Sequence, residues 1–189
     1  VANMTKYSYL IQNHKQKLKM KLSKIIPTLI LSSILCLQAK TEKQGLSPEL
    51  EDLFQGPLLD SEGKEVSKKI LGGKTIGIYF SAHWCPPCRS FTPKLVKFRD
   101  ANKKDFEVVF ISSDRSPKAQ MDYMKGSKMK WYTMPHRSDA ANALSKKYEV
   151  RGIPSLVIVS PDGKTITKNG RNDVSSNPKG AIKNWKKNS

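Results

Sequence analysis

Three short apolar runs stand out along the chain: Thr75–Ser81 (Thr-Ile-Gly-Ile-Tyr-Phe-Ser), Phe106–Ser112 (Phe-Glu-Val-Val-Phe-Ile-Ser) and Ser155–Ser160 (Ser-Leu-Val-Ile-Val-Ser). Each is β-branched or aromatic in character and too short for a buried helix, which predicts strands covered on both faces. Between them the spacing turns helical. Phe91, Leu95, Val96 and Phe98 predict a helix running to about Asn102, with Pro93 inside it as a kink. Ser116-Pro117 opens another helix to about Lys125, and Ala143, Leu144 and Tyr148 share one side of a helix over Asp139–Tyr148. Ser47-Pro48-Glu49 reads as a capped helix start ending by Gly56-Pro57. Leu58–Asp60 and Glu65-Val66 read as a small hairpin, and Trp131–Met134 as a short extended piece. Pro161-Asp162-Gly163 turns the third strand into a fourth at Thr165–Thr167, and a last helix is expected over Pro178–Lys187. The order predicts an α/β domain with a central mixed sheet covered by helices on both faces.

The 189 residues allow one domain plus an appendage, and 38% hydrophobic content is enough for one core. The appendage is at the N-terminus. From Met20, Lys21 and Lys24 precede a 13-residue, mostly apolar stretch, Ile25–Leu37, and Ala39 is a suitable last residue before cleavage. That is a signal-peptide layout, with an apolar run shorter than the ~20 residues of a membrane span. A buried core helix is the alternative, opposed by Pro27 and the abrupt switch to Lys40–Gln44. The division expected is therefore 1–39 as extension and leader, with the signal proper from residue 20, and 40–189 as the folded domain. Residues 1–19 read as an upstream extension. A periplasmic or secreted location follows, or a cytoplasmic one if the leader is not functional. Membrane contact is expected only through the leader before cleavage.

A net charge of +18 suggests nucleic acid or an anionic surface as partner. Residues 1–39 hold six lysines and no acid, leaving about +12 on the rest. The remaining lysines are scattered as pairs (Lys68-Lys69, Lys103-Lys104, Lys146-Lys147) without interleaved aromatics, so solvated helix faces explain them and no nucleic acid is expected.

The chemistry is concentrated in Trp84-Cys85-Pro86-Pro87-Cys88. Two cysteines two residues apart, after an apolar strand and opening a helix, meet unsatisfied N–H groups and the positive end of the helix dipole. Both favour the thiolate, whose pKa falls to about 3.5–7.5 in such motifs. Cys85 is the expected nucleophile, and Cys88, one turn on, the thiol that resolves a mixed disulfide. Half of a zinc site is the alternative. It lacks ligands, because the one other cysteine, Cys36, is in the leader and His14, His83 and His136 show no ligand-like pair. A purely structural disulfide across two residues would constrain the unfolded chain little. No metal and no cofactor beyond the cysteine pair is expected. His83, two residues before Cys85, is either a solvated loop residue or a cation that lowers the thiol pKa.

The segment Tyr79-Phe80-Ser81-Ala82-His83-Trp84-Cys85-Pro86-Pro87-Cys88-Arg89-Ser90-Phe91-Thr92-Pro93 resembles the tryparedoxin/nucleoredoxin branch of the thioredoxin superfamily. Ser112-Ser113-Asp114-Arg115, Trp131, Gly152-Ile153-Pro154 and the Pro161-Asp162-Gly163 turn extend the likeness from about Leu58 to Arg171. The resemblance implies a thioredoxin fold in which Pro154 is cis and its loop lies against the cysteines. It also implies that the Ile153 backbone pairs with substrate and that Trp84 shields the nucleophile. Trp84, Pro86, Pro87, Ile153 and Pro154 are thus the implied substrate-binding residues beside the catalytic Cys85 and Cys88. Two departures are informative. Tyr79 stands where ordinary thioredoxins bury an Asp, which leaves water, Tyr79 or another group to move the proton. Phe91 stands where cytochrome-maturation thioredoxins carry Glu. The activity expected is protein-disulfide reductase or related thiol–disulfide exchange. Its partners would be a disulfide-containing protein or small molecule and a dithiol reductant or oxidant. A basic-surface binding module on the same scaffold is the alternative.

Overall fold

A computed structural model describes residues 45–189. The leader expected over residues 20–39 and the extension before it lie outside the described residues. In chain order the elements are α1 (Pro48–Leu53), β1 (Leu58–Leu59), β2 (Glu65–Val66), a 3₁₀ turn at Lys68–Leu71, β3 (Thr75–Ser81) and α2 (Pro86–Asn102). Then come β4 (Phe106–Ser112), α3 (Pro117–Gly126), β5 (Tyr132–Thr133), α4 (Asp139–Lys147), β6 (Ser155–Val159), β7 (Thr165–Thr167), α5 (Gly170–Ser176) and α6 (Ala181–Lys187).

The strands form one mixed sheet in the order β2-β1-β5-β4-β3-β6-β7. β3, β4 and β5 are parallel, while β6 runs antiparallel to β3. Every residue of β3 and β4 is buried, the reason those strands read as continuous apolar runs. Alternation separates their side chains. Ile76, Ile78, Phe80, Val109 and Ile111 pack under Leu50, Phe54, Leu144 and Tyr148 on one face. Tyr79, Phe106, Val108 and Phe110 pack with Phe91, Leu95, Tyr123 and Trp185 on the other. Gly77 occupies a β3 position where a Cβ would stand 2.7 Å from the Phe106 ring, so close strand packing requires glycine.

Serine hydroxyls cap three helices: Ser47 accepts from Leu50 N–H, Ser116 from Ala119 N–H and Ser138 from Ala141 N–H. The C-terminal part departs from expectation. The single helix over Pro178–Lys187 is instead α6 starting at Ala181, preceded by the separate α5. Asn177 Oδ1 accepts the Gly180 N–H at 3.1 Å and holds a turn across Pro178-Lys179 that interrupts the helical path. The polar sequence of α5 hides its inward face, Gly170 and Val174. Among the described residues no helix is long and apolar enough to cross a membrane.

Candidate active site at the head of helix α2

β3 delivers the chain to the sheet edge and α2 starts immediately afterwards, with Cys85 as its N-cap residue. Its sulfur takes the place a capping oxygen usually holds, accepting the Cys88 N–H at 3.3 Å. Pro86 and Pro87 fill the first helical positions, where an N–H would have no intrahelical partner. Cys85 and Cys88 are joined as a disulfide with their Cα atoms 5.2 Å apart. Their environments differ: Cys85 is 4% exposed and Cys88 is fully buried. Of the two, only Cys85 retains any exposure. The Ile153–Pro154 peptide is cis, and the Ile153 carbonyl oxygen lies 3.6 Å from Cys85 Sγ.

The loop before the cysteines is pinned from several sides. The buried Asp114 accepts the His83 N–H at 2.8 Å on Oδ1 and the Ser112 hydroxyl at 2.8 Å on Oδ2. The Trp84 indole N–H donates to the Ser113 carbonyl at 3.0 Å, and Arg89 Nη1 donates to the His83 carbonyl at 2.8 Å. On the next loop, the His136 ring nitrogen Nε2 lies 2.7 Å from the Asp114 carbonyl oxygen. Trp84 remains 51% exposed despite its hydrogen bond, so its ring forms part of the surface around Cys85. Beside it lies a groove of about 290 Å³ lined by Trp84, Ser113, Val150, Arg151, Gly152 and Ile153.

Beneath the pair, Tyr79 and Tyr123 both place their hydroxyls on Thr92 Oγ1, at 2.8 Å and 2.6 Å. Thr92 in turn donates to the Cys88 carbonyl at 2.9 Å. With that proton committed, both phenols donate to the two lone pairs of Thr92, and Ser81 lies 3.3 Å from the Tyr123 hydroxyl. Burial, with Tyr123 beside it, pushes the Tyr79 phenol far above its ordinary value. It stays protonated near neutral pH, so it takes the place of the buried carboxylate as a hydrogen-bond donor and not as a base.

The residues expected to bind substrate thus gather at one place. Trp84 and Ile153 line the groove, Pro86 and Pro87 are exposed on the first turn of α2, and Pro154 is buried behind Ile153. The His83 ring packs 5.2 Å from that of Tyr123, and its backbone N–H and carbonyl both take part in the bonds that pin the loop. Asp114, Thr92 and Tyr123 were not singled out as site residues. Besides the local bonds to Ser112 and Cys88, their partners His83, Tyr79 and Ser81 lie 13 to 42 positions away, so only the fold reveals them. Among the described residues no three His, Cys, Asp or Glu side chains gather as a metal site would require.

Residues 72–165 match a family model described as thioredoxin-like. A thioredoxin from Wuchereria bancrofti is 40% identical and superposes with a TM-score of 0.61 over 72% of this chain and 98% of its own. The chain belongs to the thioredoxin superfamily, in its tryparedoxin/nucleoredoxin-like branch. Tryparedoxin II from C. fasciculata is similar at 38% identity and a TM-score of 0.63, covering 69% of this chain and 92% of that one. A tryparedoxin II complexed with glutathionylspermidine is similar at 36% identity and a TM-score of 0.63, covering 70% of this chain and 94% of that one. Nucleoredoxin from Bos taurus is 41% identical over 128 residues, 65% of this chain and 29% of the relative. The chain therefore spans under a third of the length of that nucleoredoxin. Membership makes it a thioredoxin-like oxidoreductase-family protein with a cysteine pair.

Proposed function

We propose that the protein is a thiol–disulfide oxidoreductase in which the Cys85 thiolate attacks a substrate disulfide and Cys88 resolves the mixed disulfide. The observation that carries this reading is the asymmetry of the pair. The Cys85 sulfur accepts a helix N-terminal N–H and the residue keeps 4% exposure, while Cys88 is fully buried. In the forward direction a Cys85–substrate S–S bond forms as the substrate disulfide breaks. Cys88 then loses its proton, attacks Cys85 and expels the second substrate thiol. Two electrons pass to the substrate, and an external dithiol returns them to the protein.

The pinned loop holds Cys85 at the helix terminus, and Trp84 and Ile153 frame the groove into which a disulfide would enter. The substrate is then a disulfide-bearing protein or small molecule. The test is insulin reduction with dithiothreitol as electron source. Wild type should accelerate precipitation of the insulin B chain and Cys85→Ser should not. Cys88→Ser should accumulate a mixed disulfide with the substrate. Equal rates for wild type and Cys85→Ser would refute the assignment.

A further inference from the structure

The arginines are distributed in a way the redox chemistry does not require. Because β6 opposes the parallel β3, β4 and β5, its N-terminal end shares one sheet edge with their C-terminal ends. The segments meeting there are 82–89, 113–116, 134–138 and 150–154. They contain Arg89, Arg115, Arg137 and Arg151, four of the six arginines in the sequence, and no lysine, although lysine is far more abundant overall. Asp114 is their one acid, and its buried carboxylate is occupied by His83 N–H and the Ser112 hydroxyl. Just outside them, Asp139 opens α4 and Glu149 pairs with Lys168 at 3.4 Å.

All four arginines are exposed, and among the described residues no carboxylate pairs with any of them. Some exposed lysines elsewhere have acids, Lys118 with Asp122, Lys125 with Glu62, Lys164 with Asp162 and Lys186 with Asp105, while others such as Lys94 and Lys97 have none among the described residues, so what sets this end apart is its arginine content. Guanidinium forks match carboxylates bidentately and give up hydration more readily than ammonium groups. Arg151 itself lines the groove that holds Trp84 and Ile153.

We propose that this arginine rim selects disulfides flanked by carboxylates, so that the substrate class is an acidic peptide disulfide and cationic disulfides are disfavoured. The proposal rests on the redox reading above. A carboxylate held at Arg151 brings the neighbouring sulfur to Cys85. The Cys85–S bond then forms, the substrate S–S bond breaks, and the departing thiolate takes a proton from water. Cys88 completes the two-electron transfer as described.

The experiment uses the full chain, reduced and freed of excess dithiothreitol. Single-turnover rates are measured by quenching and chromatography of the released thiol. The disulfides are oxidised glutathione (anionic), hydroxyethyl disulfide (neutral) and cystamine (dicationic), each rate divided by that with free dithiothreitol. The expected order is anionic, neutral, cationic, with about tenfold between the ends at low ionic strength. The spread should shrink several-fold near ~0.5 M salt, where exposed charges are screened. The double variant Arg115→Gln/Arg151→Gln should lower the anionic-to-neutral ratio about threefold, and Arg151→Lys should lower it less. Synthetic cystine peptides flanked by Glu should outpace those flanked by Lys. A Glu-flanked peptide faster than oxidised glutathione assigns the rim to polypeptide substrates, and the reverse order assigns it to a free tripeptide. Equal normalised rates for oxidised glutathione and cystamine, or a spread unmoved by salt, would overturn the proposal. If wild type failed to reduce even the neutral disulfide, the redox reading would fail and the charge rule with it.

Discussion

Replacing Asp114 by alanine or by asparagine separates what its carboxylate supplies. The side chain accepts two hydrogen bonds, from His83 N–H and the Ser112 hydroxyl, each at 2.8 Å, and is 1% exposed. Bonds to a charged group contribute about 1.5–3 kcal/mol each, and part of that offsets the cost of burying the carboxylate. Asp114→Ala removes both and leaves a half-buried N–H and the O–H of a buried serine without acceptors, so a loss of about 3 kcal/mol is expected. Asp114→Asn keeps an oxygen for His83 N–H. The Ser112 hydroxyl must then turn from donor to acceptor, which its second lone pair allows although it already accepts the residue's own N–H at 3.0 Å. That variant should lose only about 1 kcal/mol. Urea unfolding of the oxidised proteins, followed by far-ultraviolet circular dichroism, measures both: the midpoint should fall and the slope stay constant. Insulin reduction should slow more in the alanine variant, because the loop ahead of Cys85 loses its anchor. If asparagine costs as much as alanine, or alanine costs under about 1 kcal/mol, Asp114 does not act through these bonds.

Three further outcomes follow from the packing. Glu107 binds Arg99 through bonds of 2.8 Å and 2.7 Å and is 1% exposed. Glu107→Leu alone should cost about 3–5 kcal/mol, whereas Arg99→Met/Glu107→Leu should restore most of it in a double-mutant cycle; additive losses would contradict the pairing. Lys128 is exposed with a φ of 56° after α3, where Met129 N–H bonds the Met124 carbonyl, so Lys128→Gly should raise stability by about 0.5–1 kcal/mol in thermal unfolding. The Tyr79 phenol is held protonated above its ordinary value of 10.0 chiefly by burial. The unfolded chain therefore binds fewer protons than the folded one above that pH, and stability should fall as pH rises past 10.0. Tyr79→Phe, measured by denaturant titrations across that range, should flatten the fall.

The elements visible in the sequence were those whose burial leaves a periodic mark. β3 and β4 are covered on both faces and read as unbroken apolar runs, and the capping serines before α1 and α3 marked those helix starts. The cysteine pair announced itself because a helix start follows it directly. α5 left no such mark: two small inward residues among polar ones do not make a periodic stripe. Asp114 looked like any loop acid, since its role depends on a backbone N–H 31 positions away. The hydroxyl cluster under Cys88 likewise joins residues from β3, α2 and α3. The arginine rim is assembled by topology alone, four loops brought to one edge by a single strand reversal.

That sheet has a further property at its flanks. Its outermost strands are β2, of two residues, and β7, of three, beside Lys64 and Lys164 respectively. Short edges bordered by lysine give a neighbouring chain little unpaired backbone to extend. The long apolar strands, which would be the most aggregation-prone segments of this sequence if left open, lie in the interior of the sheet. The domain can therefore present a groove and an exposed tryptophan at one end while its sides resist association with other sheets at high concentration.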